Sequence, residues 1–427
     1  MNIKSNTMAG WLAAMALAAV WPNGLATRAQ TSQDAERARM TRLRGATGEA
    51  LSPEEQANLD ERIRAREIRR RMIGGGEITA EEKAFLDGYQ AKKGPVPTPT
   101  ESTGMIPLTE LVTGTYKGEE GGLYGGGRNE PPPAHRTAVE RELAKIVPLD
   151  REGRPSRDGK IVFTSIGMSN TSVEFSLFED LAPADPRKAP HVVVVNGAQS
   201  GRSAPVWART ISGPDPWAVL NERLARAGVT PKQVQAVWIK HAQANPRQLG
   251  EFPEHARVLA DNTAKTLQIL RERYPNCRVA YLSSRIYAGY AMTVQSPEPY
   301  AYESAFAMRW VIQRQINGDP ELNFDPAKGP VRAPAVVWGP YFWADGVKPR
   351  AGDGLVWLRE DLRKEDGSHP SGPPALEIEK AKYGPSGPQP LAYAGNDSGR
   401  RKVARLLLEF VHNDRLASCW YLAASAK

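Results

Sequence analysis

Two short stretches carry side chains that could act on a substrate together: Gly167-Met168-Ser169-Asn170 in mid-chain and Asp366-Gly367-Ser368-His369-Pro370 towards the end. Serine is a weak nucleophile until a neighbouring base removes its proton, and an imidazole does this best when a third group fixes its tautomer. Asp366 and His369 stand three positions apart, so one turn of chain sets the carboxylate beside the imidazole. With Ser169 as nucleophile, His369 as general base and Asp366 as orienter, the chemistry is acyl transfer to a serine. Read alone, Asp366 serves equally well as the cap of a surface turn. The strand-end serine is what turns the pair into a candidate site.

The elements that must position these groups follow from patterning. Ile161 to Ile166 is a short β-branched and aromatic run, the composition of a strand buried on both faces. It stops at Gly167, so a tight turn leaves the Ser169 hydroxyl where the strand ends. Strands and helices then alternate: strands at His191–Asn196, Val234–His241, Arg278–Ser283 and Ala335–Trp338, and helices at Trp217–Ala225, Pro253–Tyr274, Tyr302–Ile316 and Asp397–His412. Asp215 with Pro216 marks the start of the first of those helices. This order predicts an α/β fold, a parallel sheet of about five strands with helices on both faces. In such sheets ligands bind outside the carboxyl ends of the strands.

Further candidates sit at that edge. Gly197, after the second strand, has an amide suited to a developing oxyanion. After the third strand, Gln243 and Asn245 are alternative side-chain donors, and His241 is a competing base. Ser200 is the rival nucleophile, but it lacks a Gly-x-Ser-x-Gly elbow, as Ser169 does.

The front of the chain reads differently. Lys4, the apolar run Met8 to Trp21 and the small residues Ala26 to Ala29 form a targeting segment over 1–29, which predicts export to a periplasmic or extracellular compartment. That run is too short for a membrane span of about 20 residues. Residues 30–93 predict a helical appendage in which Ser52/Glu55 and Thr79/Glu82 repeat the capping-box pattern. Residues 94–150 predict a linker followed by a glycine-rich loop laid on the large domain, 151–427. That loop lacks the Gly-Lys-Ser of a phosphate loop. Cys277 and Cys419 are positioned either to pair or to stay as separate thiols. Two cysteines and six scattered histidines argue against a structural zinc site. Lysine and arginine number 56 against 48 acidic residues, which fits anionic surroundings. There is no aromatic-interleaved basic platform of the kind a nucleic-acid partner needs. Trp207, Trp217, Trp338 and Trp343 are candidate sugar platforms.

The quoted motifs resemble those of the SGNH, or GDSL-like, hydrolases, in the style of the sialate O-acetylesterase and acetylxylan esterase branch. Gly167 to Asn170 is similar to the first block, Gly197 to the second and Asp366 to Pro370 to the last. Ser398-Gly399-Arg400-Arg401-Lys402 is similar to a later helix start. The third block of that branch reads Gln-Gly-Glu, where this chain has His241 to Asn245. The resemblance covers about residues 155–415. It implies a three-layer α/β/α flavodoxin-like fold and cofactor-free hydrolysis of small acyl esters, acetyl esters of glycans included. Ser169, Asp366 and His369 would be catalytic, with Gly197, Gln243 or Asn245, and Asn170 as oxyanion or binding residues. Two alternatives stand beside it. One is a non-catalytic carbohydrate- or envelope-binding protein on the same scaffold. The other is an attachment module formed by the front half.

Overall fold

The computed structural model describes residues 76–424 except 93, 96, 212–214 and 373–397, with isolated positions between 57 and 72. The targeting segment and the first capping box lie outside the described residues. The chain divides into two compact units, Met1–Tyr89 and Gln90–Lys427.

In the first unit, helix α1 (Ala80–Ala91) begins at the predicted capping box. The Glu82 amide donates to Thr79 Oγ1 and the Thr79 amide to Glu82 Oε2, both at 3.1 Å. Ala65, Ile68, Leu86 and Tyr89 make a small separate core.

The second unit is built on a five-stranded, wholly parallel sheet. A two-residue hairpin comes first, β1 (Thr115–Tyr116) and β2 (Glu119–Glu120), then helix α2 (Pro133–Leu143). The sheet strands are β3 (Ile161–Gly167), β4 (Val192–Val195), β5 (Val234–Lys240), β6 (Val279–Ser283) and β7 (Ala335–Trp338). Between them run α3 (Ser169–Leu181), α4 (Ala204–Trp207), α5 (Pro216–Arg226), α6 (Glu254–Arg273) and α7 (Tyr300–Ile316); α8 (Gly399–Asn413) and α9 (Arg415–Tyr421) close the unit. The strand order is β4-β3-β5-β6-β7, a flavodoxin-like order whose direction of travel reverses between β3 and β5. Every predicted strand is present, and the Asp215 carboxylate accepts from the Trp217 amide as expected of an N-cap. Helix α3, which starts at Ser169 itself, α2 and the closing α9 were not legible from patterning.

The sheet strands are buried along nearly their whole length because each face is covered. On one face α3, α8 and α9 bring Phe175, Phe178, Phe410 and Trp420 against Phe163 and Tyr281. The other is covered by α4, α5, α6 and α7, with Trp207 of α4 and Trp217 of α5 packed edge to face at 5.0 Å. All four tryptophans offered as sugar platforms are buried: Trp207, Trp217 and Trp343 at 0 % exposure and Trp338 at 5 %. They are core, each indole N–H engaged by an acceptor within the protein.

The segment expected as linker and loop belongs to this unit. The Asp345 carboxylate accepts from Ser102, Thr103 and Gly104, and the Glu303 carboxylate from the Tyr116 hydroxyl and Lys117. Arg309 pairs with Glu119 at 2.6 Å, and the Trp338 indole donates to the Leu123 carbonyl. Cys277 is a buried free thiol that donates to the Val279 carbonyl, so the two cysteines are not bridged; Cys419 is exposed. Among the described residues no helix is long and apolar enough to cross a membrane.

Lys240, the last residue of β5, holds Glu174 of α3 at 2.5 Å, both side chains fully buried. Breaking a buried pair leaves an uncompensated charge, at a cost of about 3–5 kcal/mol. Urea unfolding of Lys240→Met is expected to reveal a loss of that size, with much of it recovered in Lys240→Met/Glu174→Leu.

Candidate active site

Parallel register brings three strand ends level: Gly167 lies beside Lys240, and Lys240 beside Ser283. The residues that follow therefore emerge at one edge. Gly167 is required there because a Cβ would sit 2.4 Å from the Lys240 carbonyl oxygen. Ser169 occupies the first position of α3 and is half-buried. Amides in the first turn of a helix have no partner inside it, so the Ser169 amide is available to an incoming oxygen.

The second half of the site arrives on the loop 361–372. His369 Nε2 lies 2.7 Å from Ser169 Oγ, across 200 residues of sequence, and His369 Nδ1 lies 2.8 Å from Asp366 Oδ2. An ionised carboxylate only accepts, so Nδ1 carries the proton and Nε2 is left to accept from the serine hydroxyl. Asp366 Oδ1 accepts in addition from the Ser368 and His369 amides, both at 2.8 Å. Burial by itself would raise the Asp366 carboxyl, but the hydrogen bonds and charge of His369, with these amides, hold it well below the ordinary carboxylate range.

Gly367 gives the loop its shape. Its φ is +62°, and a Cβ would meet the Tyr290 carbonyl oxygen at 1.8 Å. The loop is then tied down on every side. The Met292 amide donates to the Asp366 carbonyl, and the Arg363 amide to the His369 carbonyl, each at 2.8 Å. Asn170 Nδ2 donates to the Ser368 carbonyl at 2.7 Å, so the residue after Ser169 holds the loop that carries His369. The Ser398–Lys402 segment completes the anchorage: Lys402 pairs with the fully buried Asp361, and Arg400 donates to the Val173 carbonyl and the Ser176 hydroxyl on α3.

A small cleft of about 80 Å³ opens beside Ser169 and His369, lined also by Met168, Gly201, Gln243 and Arg285. Of the alternative amide donors, Gln243 lines it, with a buried Nε2 that has no partner, whereas Asn245 does not. Gly197 is not a lining residue either. A Cβ at Gly197 would meet the Ser165 carbonyl oxygen at 2.4 Å, so close packing between strand ends accounts for a glycine there, and Gly201 is the glycine that lines the cleft. Ser200 is exposed and outside the cleft. His241 is no competing base: it does not line the cleft, and burial pushes its imidazole down to about 3. The residue patterning missed is Arg285. Its position two residues after the fourth strand was the available signal.

Comparison with protein-family models and with curated proteins finds no match.

Because the folded Asp366 pKa lies below its unfolded value, its contribution to stability is complete above the unfolded carboxyl range, near 4, and is lost as the pH falls towards the folded value. Urea unfolding between pH 6 and 2 should find wild type losing stability through that window more steeply than Asp366→Asn.

Proposed function

We propose that the protein is a serine esterase that hydrolyses small acyl esters, acetyl esters foremost. One observation carries the reading: a single relay joins hydroxyl, imidazole and carboxylate at 2.7 and 2.8 Å, at the carboxyl edge of a parallel sheet. A proton leaving Ser169 has an acceptor in hydrogen-bonding reach, and that acceptor has its tautomer fixed.

In the proposed reaction Ser169 Oγ attacks the ester carbonyl while His369 Nε2 takes the hydroxyl proton. The carbonyl oxygen becomes an oxyanion, held by the Ser169 amide and by Gln243 Nε2. Collapse breaks the ester C–O bond, and His369 returns the proton to the departing alcohol. Water then attacks the acyl-enzyme with His369 again as base, releasing the carboxylic acid and restoring Ser169. Asp366 keeps the imidazole oriented and stabilises its protonated form. No cofactor enters these steps.

The narrow cleft supports a short acyl group. A glycan as the alcohol and an exported location remain part of the proposal on sequence grounds, the first from the motif resemblance and the second from the apolar amino-terminal run. The buried tryptophans lend the glycan reading no support. Binding without turnover, the competing reading, gives no reason for a carboxylate to fix an imidazole tautomer beside a serine.

Ser169→Ala is expected to abolish hydrolysis of p-nitrophenyl acetate and labelling by a fluorophosphonate, with an unchanged unfolding midpoint. Equal turnover by the mutant would remove Ser169 from the mechanism. Gln243→Ala should lower kcat by about 100- to 1000-fold, the usual effect of losing one oxyanion donor, with KM little changed.

A further inference from the structure

Arg285 lies two residues after Ser283, the last residue of β6, at the same sheet edge as Ser169. It lines the cleft with Ser169 and His369 yet is only 4 % exposed. Its Nε and Nη2 are buried and have no hydrogen-bond partner. An arginine presents five donors in a rigid planar fork and stays charged, so leaving that fork unsatisfied is costly.

The neighbouring carboxylates offset part of its charge but do not hydrogen-bond to Nε or Nη2. Glu174, Glu298 and Asp366 act on Arg285 through space, but each is committed elsewhere. Glu174 is held by Lys240, and Asp366 by His369 and its own loop amides. Glu298 accepts from the amides of Ala288 and Tyr302 and from the Trp343 indole. The oxyanion of acyl transfer has its own donors in the Ser169 amide and Gln243. What the fork lacks is a planar, two-oxygen anion arriving through the cleft, and a carboxylate fits it in bidentate fashion.

We propose that Arg285 is a specificity-determining residue that binds a carboxylate on the substrate, so that the favoured substrates are acyl esters bearing an acid group on their alcohol or acyl portion. This inference rests on the esterase reading for its chemistry, though not for the binding of the anion. The overall excess of basic residues, 56 against 48 acidic, favours the approach of such substrates.

The test compares matched esters with the full chain. For the alcohol side, 3-acetoxybenzoate is set against 3-acetoxybenzamide; for the acyl side, mono-4-nitrophenyl adipate against 4-nitrophenyl hexanoate. Wild type should favour the carboxylate member of one pair at least tenfold in kcat/KM, chiefly through KM. Arg285→Met should bring that ratio close to one, and Arg285→Lys should retain part of it. No preference in either pair, a preference surviving in Arg285→Met, or equal losses on both members would overturn the proposal.

A second readout needs no turnover. At fixed ionic strength benzoate, and not benzamide, should raise the Tm of wild type and of Ser169→Ala but not of Arg285→Met; if Arg285→Met does not fold, Arg285→Gln takes its place. Benzoate stabilisation through Arg285 without hydrolysis of any ester would leave the anion site standing and end the esterase reading. Hydrolysis without carboxylate preference or benzoate stabilisation would end this inference alone.

Discussion

The site depends on the anchoring of one loop. A single hydrogen bond between Ser169 and His369 contributes only about 1 kcal/mol net, far too little to draw together groups 200 residues apart in sequence. Their meeting is arranged by what lies on either side. Asp361 is fixed by Lys402 from within the base of α8, Gly367 presses its backbone onto Tyr290, and Asn170 ties Ser368 to the first turn of α3. The imidazole is thus held by backbone and buried charge before it touches the serine. Catalytic geometry of this kind tolerates displacements of well under 1 Å, so rigidity in the loop is the condition for everything proposed about the site.

A second constraint comes from charge density. Lys240 with Glu174, Lys402 with Asp361, and Arg285 beside Glu298 and Asp366 place seven ionisable groups in or beside a poorly solvated edge. Two of these cations close onto carboxylates at 2.5 Å. Burial pushes the Lys240 ammonium down to about 8 against the pull of Glu174, and it raises the Glu298 carboxyl to about 7. In such surroundings charges interact strongly, which is why one guanidinium without a hydrogen bond from Nε or Nη2 stands out from its neighbours.

The sequence carried the sheet and the ends of the relay because both rest on local signals. Apolar runs of four to seven residues mark buried strands whatever else surrounds them, and Asp366 to His369 is a contiguous segment whose spacing is its own evidence. Helix α3 was hidden because Ser169-Asn170-Thr171-Ser172-Val173 has the composition of a turn, and tertiary packing under α8 is what makes it helical. Residues 94–150 look like linker for a similar reason. Their glycines and prolines break regular structure, and although a loop laid on the large domain was expected, the residues that attach it, Asp345, Glu303 and Trp338, are distant in sequence and no local pattern names them. At Gly197 the letter alone does not separate a glycine needed for close packing, which a Cβ 2.4 Å from the Ser165 carbonyl oxygen indicates, from one that presents an amide.

The same reasoning separates the two ends of Asp366. Its Oδ1 is saturated by amides of the loop, a job any turn-capping aspartate performs. Its Oδ2 reaches the imidazole instead of solvent or a further amide. A cap alone would be complete without that second contact, and an imidazole that merely filled space would gain nothing from a fixed tautomer. Proton transfer from a serine uses both contacts, with the hydroxyl, imidazole and carboxylate in a line. The order of the three groups, more than the presence of any one of them, therefore favours catalysis over binding as the reason this edge is built as it is.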